Sequence, residues 1–239
     1  MKNRLDHDMV IPASRCDATS CIGIPDCFAA FMDLATEHAE QLGIGLGLLD
    51  SDGLFWLTAK TKIHFYRRPR MNEPVTFSTW PELPERFSCN RDYSITKDGE
   101  LLVAGKTQWA MMNTRTGRLQ AMEGVFPAEL TMAEDRVLPE PFARVKGDFP
   151  EEPFGEVRVR SIDIDLGGHM NNAAYVREFA GLFSTKEWQA LDIHELEIHY
   201  RKSCYEGDIL QFRMHDAGAE KHVKASLPDG TDIVYLILR

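Results

Sequence analysis

Residues 26–43 read DCFAAFMDLATEHAEQLG and decide the fold of the first half of the chain. Their apolar positions recur at helical spacing, and Gly43 follows the last of them as a C-terminal stop. The stretch therefore predicts one long helix with a broad apolar face. The positions that form this face are Phe28, Phe31, Met32, Ala35, Ala39 and Leu42.

Four stretches rich in β-branched and aromatic residues follow this helix. Asn-Glu-Pro, Pro-Glu and Asp-Gly turn signals separate them. They cover residues 55–66, 74–81, 89–95 and 101–113. This pattern predicts an antiparallel sheet after the helix.

The second half repeats the plan, with a helix over residues 173–188 and strands over 156–160, 195–201, 209–215, 222–227 and 232–238. Matching residues keep their order while the loop lengths change, as in an internal repeat. Residues 124–152 between the halves are proline-rich and aperiodic, which predicts a linker with at most one short helix. The matches are Ile63-His64-Phe65 with Ile198-His199-Tyr200, Glu73 with Asp208 and Phe77 with Phe212 at an offset of 135, Phe28 with Tyr175 and Met32 with Phe179 at 147, and Asp98-Gly99 with Asp229-Gly230 at 131.

A long apolar helix and about four antiparallel strands bury each other best when the sheet wraps around the helix, which is the hotdog arrangement. Two copies in one chain predict an α+β protein with tandem hotdog domains. Joining their sheets edge to edge, as a fused pseudo-dimer, removes an exposed edge strand from each. The predicted boundaries are 1–123 for the first domain, 124–152 for the linker and 153–239 for the second domain.

Composition limits the classes of function. The chain has 239 residues, and its formal net charge of -10 disfavours binding to nucleic acid. Five scattered cysteines suit a reducing compartment, and the sequence contains no apolar run of roughly 18 residues. The first dozen residues lack the apolar core of a signal peptide. We therefore expect a cytoplasmic protein that does not enter membranes.

The most unusual segment is SIDIDLGGHMNNAAY at residues 161–175, between a predicted strand and the second helix. Asp165 and His169 precede a helix start, where free N–H groups and the helix dipole suit a developing oxyanion. Asn171 or Asn172 is placed to cap that helix. A carboxylate, an imidazole and an oxyanion site are the minimal equipment for hydrolysing an acyl compound.

This motif resembles the one that opens the C-terminal hotdog of the fatty acyl-ACP thioesterases. Residues of the first half are similar to that family's N-terminal hotdog, so the likeness covers almost the whole chain. The motif residues are Asp163, Asp165, Gly168, His169, Asn171, Asn172 and Tyr175, and the similar residues of the first half are His38, Leu42-Gly43, Trp56, Arg67-Arg68-Pro69, Thr79-Trp80 and Trp109.

The resemblance implies that Asp165 is the catalytic carboxylate and that His169 assists or orients the thioester. Gly167 stands where many members have asparagine, so a role of that amide in orienting water is either missing or taken by Asn171. Ser203 stands where many have glutamate. The remaining site predictions are Gly168 and Asn172 as substrate-binding residues, Tyr175 as a packing residue and Cys204 as a weak candidate nucleophile.

The resemblance also implies hydrolysis of fatty acyl-ACP to free acid and holo-ACP, without a cofactor. The alternatives are an acyl-CoA thioesterase and a non-catalytic acyl-binding hotdog. ACP is acidic, so basic side chains are expected to dock it. The chain acts either alone or as a homodimer. The docking candidates are Arg201 and Lys202, which we also predict to bind substrate, together with Arg67, Arg68 and Arg70.

The repeat predicts which half reacts. At the offset of 147, Asp163, Asp165 and His169 correspond to Cys16, Ala18 and Ile22, so the first copy is expected to lack every candidate acid or base. The family resemblance implies that this copy houses the acyl chain, and a solid apolar core is the alternative that fits the same pattern. No metal site is predicted. His194 and His199 are spaced one residue too far apart for a zinc-protease helix, and Cys16, Cys21 and Cys27 lack the paired spacing of structural zinc sites.

Overall fold

The computed structural model describes residues 3–47 and 52–239 of the chain. The chain divides into two compact units, of which one extends to Glu140 and the other begins at Pro141. This division lies inside the segment predicted as a linker. Each unit combines an antiparallel sheet with one main helix, which places the protein in the α+β class.

In the first unit, helix α1 packs on a sheet with the strand order β1-β3-β4-β5-β2, and β6 pairs with the end of β5. Every pairing within this sheet is antiparallel. The elements are β1 (Leu5–Val10), α1 (Ile24–Gln41), β2 (Leu54–Phe65), β3 (Pro74–Pro81), β4 (Cys89–Lys97), β5 (Glu100–Asn113) and β6 (Arg118–Gln120).

In the second unit, the strand order is β8-β11-β10-β9-β7, again antiparallel. A short 3₁₀ turn precedes the first helix of each unit, at Ala13–Arg15 and at Ser161–Asp163. The helices within the described residues all lack the length or the apolar content that a membrane crossing requires. The elements are β7 (Gly155–Arg158), α2 (Asn172–Ala180), α3 (Thr185–Ala190), β8 (Glu195–Tyr200), β9 (Ile209–Asp216), β10 (Lys221–Ser226) and β11 (Asp232–Leu238).

Aromatic contacts join each main helix to its own sheet. The Phe31 ring of α1 stacks on Tyr93 of β4 at 4.8 Å between centroids. A Cβ atom on Gly105 of β5 would lie 2.6 Å from that ring, so this close approach requires glycine. In the second unit, Phe179 of α2 lies 5.9 Å from Phe212 of β9. Burying each such side chain stabilises the fold by about 1.5–3 kcal/mol.

The predicted helix over residues 173–188 is wrong in one respect, because the structure divides it into α2 and α3. Helix α2 ends at Ala180 with Gly181 as its C-cap. Ser184 and Glu187 then form a capping box that starts α3, with the Ser184 N–H donating to the Glu187 carboxylate at 2.8 Å. The nine predicted strands are confirmed within a few residues at their ends, whereas β1 and β6 were not predicted.

The proline-rich segment 124–152 contains no helix or strand, yet its first part is packed against the sheet of the first unit. The Trp80 indole N–H donates to the Asp135 carbonyl oxygen at 2.8 Å, and Lys106 Nζ donates to the Glu140 carbonyl oxygen at 2.7 Å. Asp92 lies fully buried on β4, directly opposite Lys106 of β5. Burial and the neighbouring Glu82 carboxylate raise the pKa of Asp92.

Candidate active site

The loop between β7 and α2 forms a tight turn closed by Asp165 and His169. The Asp165 N–H donates to the His169 carbonyl oxygen at 2.9 Å, and the Gly168 N–H donates to the Asp165 carbonyl oxygen at 3.0 Å. Gly168 has a φ of +76°, a left-handed conformation that costs glycine little. The Asp165 side chain is exposed and that of His169 is partly exposed. The turn therefore presents a carboxylate and an imidazole at the surface.

Gly167 lies between these two groups. Its N–H donates to Asp165 Oδ1 at 2.8 Å. A Cβ atom built on Gly167 would lie 3.1 Å from Asp165 Oδ1 and 3.5 Å from His169 Nδ1. The carboxylate and the ring nitrogen therefore approach the same point beside the glycine. A side chain at this position, such as the asparagine expected from the resemblance, would have to share that space.

The two asparagines at the start of α2 have separate places. Asn171 is the N-cap, and its Oδ1 accepts from the Ala173 N–H at 2.9 Å. Asn172 is the first helical residue, and its carbonyl oxygen accepts from the Tyr200 hydroxyl at 3.0 Å. Tyr175 is buried, with its ring 5.9 Å from that of Tyr200. Asn171 is therefore the residue that caps, and Tyr175 packs as predicted.

The backbone amides at the helix start are mostly occupied. The Asn171 N–H donates to the Asp163 carbonyl oxygen at 2.8 Å, and the Ala174 N–H donates to the Asn171 carbonyl oxygen at 2.9 Å. The Ala173 N–H is used by the cap. The expectation that free amides here hold a thioester carbonyl is wrong for these three groups. The favourable field of the helix N-terminus remains.

Asp163 connects the loop to helix α2 through hydrogen bonds and an ion pair. It is buried, and its Oδ2 accepts from the Arg160 N–H at 2.7 Å. Its other oxygen is ion-paired with Arg177 of α2, and Arg160 also binds Glu178 at 2.6 Å. Asp163 is thus fully engaged in holding the turn onto the helix, whereas Asp165 points outward.

The segment after β8 runs beside the loop. The Met170 N–H donates to the Cys204 carbonyl oxygen at 2.8 Å, and the Tyr205 ring lies 5.2 Å from that of His169. The Cys204 thiol is buried and donates to Asp208 at 3.4 Å. Burial and this carboxylate raise the pKa of Cys204 to about 12, which argues against a thiolate nucleophile. The contact of Tyr205 with His169 was not predicted from the sequence.

The basic residues expected to dock ACP differ in whether they already form ion pairs within the chain. Arg67 forms a bidentate pair with Glu73 at 2.8 and 3.0 Å, and hydrogen bonds from this guanidinium hold the pKa of Glu73 at about 2. Arg68 is also ion-paired inside the first unit. Arg201 and Lys202 are exposed at the end of β8. Of the docking candidates, this exposed pair in the second unit is thus better placed than Arg67 or Arg68 to meet an anionic partner.

The histidines first considered as metal ligands have other contacts. His199 Nε2 lies 2.5 Å from Glu197, and His194 Nε2 lies 3.4 Å from Asp192. Within residues 3–47 and 52–239, no group of three or more His, Cys, Asp and Glu side chains is placed to hold a metal ion.

The first unit contains the same turn, one residue out of the predicted alignment. The Asp17 N–H donates to the Cys21 carbonyl oxygen at 2.9 Å, the Ser20 N–H donates to the Asp17 carbonyl oxygen at 3.0 Å, and the Thr19 N–H donates to Asp17 Oδ1 at 2.8 Å. These bonds repeat those of Asp165 at an offset of 148. The prediction that Ala18 is the counterpart of Asp165 is therefore wrong. The counterpart is Asp17, so the first copy also has a carboxylate in this turn.

That carboxylate is neutralised. Arg68 pairs with Asp17 and also donates to the Ile22 carbonyl oxygen at 3.0 Å. Partial burial alone would raise the pKa of Asp17, but hydrogen bonds from Arg68 and Thr19 outweigh it and hold the pKa below its ordinary value. At the offset of 135 that relates the following strands, Arg68 corresponds to Ser203. The first copy thus combines a carboxylate with a cation, and the second combines an exposed carboxylate with a histidine.

Comparisons with known proteins cover both units of the chain. Residues 2–130 match the family model of the acyl-ACP thioesterase N-terminal domain, and residues 149–232 match that of the acyl-ACP thioesterase C-terminal domain. The chain is 28% identical over 212 residues to oleoyl-acyl carrier protein thioesterase 2, chloroplastic, of Arabidopsis thaliana, covering 74% of this chain and 53% of the relative. It is 24% identical over 194 residues to dodecanoyl-[acyl-carrier-protein] hydrolase, chloroplastic, of Cinnamomum camphora, covering 75% and 50%.

The chain spans about half the length of the curated relatives it matches. Among solved structures, an acyl-ACP thioesterase from Bacteroides thetaiotaomicron superposes with a TM-score of 0.87 at 21% identity, covering 99% of this chain and 97% of that one. The 12:0-ACP thioesterase from Umbellularia californica superposes with a TM-score of 0.79 at 19% identity, covering 100% and 97%. At these identities the superpositions show that the fold is shared.

Proposed function

The chain belongs to the acyl-ACP thioesterase family, and from this premise we propose that it hydrolyses the thioester of fatty acyl-ACP to free fatty acid and holo-ACP. The observation that carries the proposal is the exposed Asp165 carboxylate beside His169 in the turn before α2. The equivalent turn of the first unit is neutralised by Arg68.

Two routes use the same residues. Asp165 either accepts a proton from water as the water oxygen bonds to the thioester carbon, or attacks that carbon itself before water releases the acid. In both, the carbon–sulfur bond breaks and the phosphopantetheine sulfur leaves with a proton. We assign His169 to orient the thioester or to supply that proton, because its Nδ1 and the Asp165 carboxylate approach the same point. No cofactor is needed.

The finer description of the fold is part of this proposal: two tandem hotdog domains, fused as a pseudo-dimer, over residues 1–123 and 153–239 with a linker at 124–152. The repeated hydrogen bonds of the Asp17 and Asp165 turns support a duplicated unit. We assign the acyl chain to the first domain and catalysis to the second. The chain acts as this single unit or as a homodimer of it.

The proposed partner is an acyl carrier protein bearing the acyl chain on phosphopantetheine. The exposed Arg201 and Lys202 support this partner, because an enzyme with a formal net charge of -10 must meet an acidic protein through a local basic surface. Gly168 and Asn172 border the place where the thioester would lie. All five cysteines are unpaired, which supports a reducing compartment, and we propose the cytoplasm.

Two alternatives remain testable. Acyl-CoA hydrolysis uses the same turn, and a non-catalytic acyl-binding role is favoured by Gly167 and Ser203, which stand where the resemblance leads us to expect catalytic side chains. Turnover should be measured on acyl-ACP and acyl-CoA of one chain length, side by side, with a reaction that contains no enzyme as the blank. We expect kcat/KM to be higher for acyl-ACP. A higher kcat/KM for acyl-CoA would make acyl-CoA the preferred substrate. Turnover no faster than the blank would leave the non-catalytic acyl-binding role.

A further inference from the structure

Arg91 is a buried cation that the proposed chemistry does not use. It lies on β4 of the first unit, on the face that α1 covers, and is 6% exposed. Its Nη1 donates to His38 Nδ1 of α1 at 2.9 Å and to Thr79 Oγ1 at 3.3 Å. Because arginine can only donate, His38 Nδ1 must carry the lone pair.

Arg91 has no anionic partner in the part of the chain that the structure describes. There its Nε and Nη2 make no hydrogen bond, and it pairs with no carboxylate. Burial lowers the pKa of Arg91, whereas its electrostatic interactions with Tyr93 and Cys89 raise it. A buried guanidinium without a carboxylate is costly, so such a group in a native protein calls for a partner.

Two further donors lie on the same face of the sheet without a partner. The Tyr93 hydroxyl and the Trp109 indole nitrogen are buried and make no well-formed hydrogen bond, although the hydroxyl is close to both the indole and Thr107. Burial raises the pKa of Tyr93 to about 12, so its hydroxyl keeps its proton near neutral pH. Strand pairing sets Arg91 opposite Thr107, two residues from Trp109.

Within the described residues, these three side chains all lack a hydrogen-bond acceptor for at least one of their donor groups. Arg91, Tyr93 and Trp109 all offer N–H or O–H groups, and the fixed charge among them is positive. The surrounding side chains are aromatic, because Phe31 stacks on Tyr93 at 4.8 Å and Trp56 lies 6.4 Å from Trp109. A carboxylate attached to a hydrocarbon chain supplies both the missing acceptor and an apolar body.

We propose that Arg91, Tyr93 and Trp109 form an interior carboxylate site in the first unit, and that its ligand is a free fatty acid. The choice of a fatty acid rests on the proposed function, which produces one. The product would then have a binding site that belongs to the first unit and does not include Asp165. The carboxylate would accept hydrogen bonds from Arg91 Nε and Nη2, with Tyr93 and Trp109 as further donors.

The test measures binding of dodecanoate to the full chain by isothermal titration calorimetry, in the Asp165→Asn background, with 1-dodecanol as the uncharged probe. We expect dodecanoate to bind at least tenfold more tightly than 1-dodecanol, and Arg91→Gln to remove this preference. Tyr93→Phe removes only the hydroxyl, and Trp109→Phe removes the indole N–H while keeping an aromatic ring. Each should weaken dodecanoate binding several-fold, and these variants provide the test if Arg91→Gln does not fold. The exposed Arg118→Gln is the matched control.

Equal affinity for acid and alcohol, or dodecanoate binding unchanged in all three variants, would overturn the site. Hydrolysis is measured separately on the wild-type chain. A chain that hydrolyses acyl-ACP but shows no Arg91-dependent binding disproves this inference alone. A chain that binds dodecanoate through Arg91 but hydrolyses nothing disproves the proposed function alone.

Discussion

Asp17 and Asp165 occupy the same position in two copies of one turn, and their carboxylates have opposite surroundings. Each accepts a main-chain N–H at 2.8 Å from the residue two places ahead. Asp17 is partly buried and ion-paired with Arg68, whereas Asp165 is exposed beside His169. Under the proposed function, the difference between the two units therefore lies in what surrounds the carboxylate, since both units contain it.

The absence of a side chain at Gly167 is expected to support turnover, because a larger residue would displace the Asp165 carboxylate. The Cβ of Gly167→Ala would lie 3.1 Å from Asp165 Oδ1, so the carboxylate must shift. We expect kcat to fall several-fold with little change in the unfolding midpoint. Gly218→Ala is the control, because its φ of +82° is strained for alanine while nothing lies near its Cβ. It should lose about 1 kcal/mol of stability without a change in kcat. Unchanged kcat in Gly167→Ala would separate this glycine from the chemistry.

Cys204→Ala should keep most of the activity. The thiol is buried and its pKa is raised to about 12, so almost none is ionised near neutral pH. Steady-state kinetics on acyl-ACP and intact-protein mass spectrometry after mixing with substrate provide the check. An acyl adduct on Cys204, or loss of activity in a variant that still folds, would contradict the assignment of the chemistry to Asp165.

Arg201→Glu combined with Lys202→Glu should raise KM for acyl-ACP and leave KM unchanged for a short acyl-thioester that lacks the carrier. The rise in KM should shrink as salt is added, because exposed charges are screened. Arg67→Gln is the contrasting variant. It breaks the pair with Glu73, so it should lower stability and leave KM for acyl-ACP unchanged. An equal rise in KM for both substrates in the double variant would remove the docking role.

Asp92 should make stability depend on pH. Burial and the Glu82 carboxylate raise its pKa from 3.8 to about 8, so the folded state holds this proton more tightly than the unfolded chain does. This contribution is fully present below the ordinary pKa and is lost as pH rises towards the raised value. Urea midpoints should therefore fall from pH 5 to pH 8, and Asp92→Asn should flatten the slope. The same slope in both proteins would show that Asp92 is already ionised.

The sequence predicted the elements of this fold well wherever the pattern was long. Helix α1 and the central strands carry strong periodicity and clear turn signals. Strand β1 was missed because three of the six residues in the segment LDHDMV are polar, and only its pairing with β3 makes it a strand. The break at Gly181 was missed because apolar spacing continues through it, whereas the capping box at Ser184 was a local signal that favours a new start.

The location of the candidate residues in one turn before a helix was predicted, whereas their contacts depend on pairings that sequence spacing does not encode. The motif located Asp165, His169 and the helix cap. The offset of 147 was taken from the aromatic residues of the helices, whereas the hydrogen bonds of the two turns repeat at an offset of 148. Because of this difference of one residue, Asp165 was aligned with Ala18 instead of Asp17. The pairing of Asp17 with Arg68 joins residues 51 positions apart, which no local pattern reveals.

The kcat of Asp165→Asn on acyl-ACP tests the central claim most directly. Asparagine is close in shape but is neither a base nor a nucleophile, so we expect kcat to fall on the order of 10²-fold or more while folding and acyl binding persist. Asp17→Asn, the same change in the neutralised turn, should lower stability through the loss of its Arg68 pair and leave kcat nearly unchanged. A folded Asp165→Asn protein that turns over acyl-ACP near the wild-type rate would contradict the account.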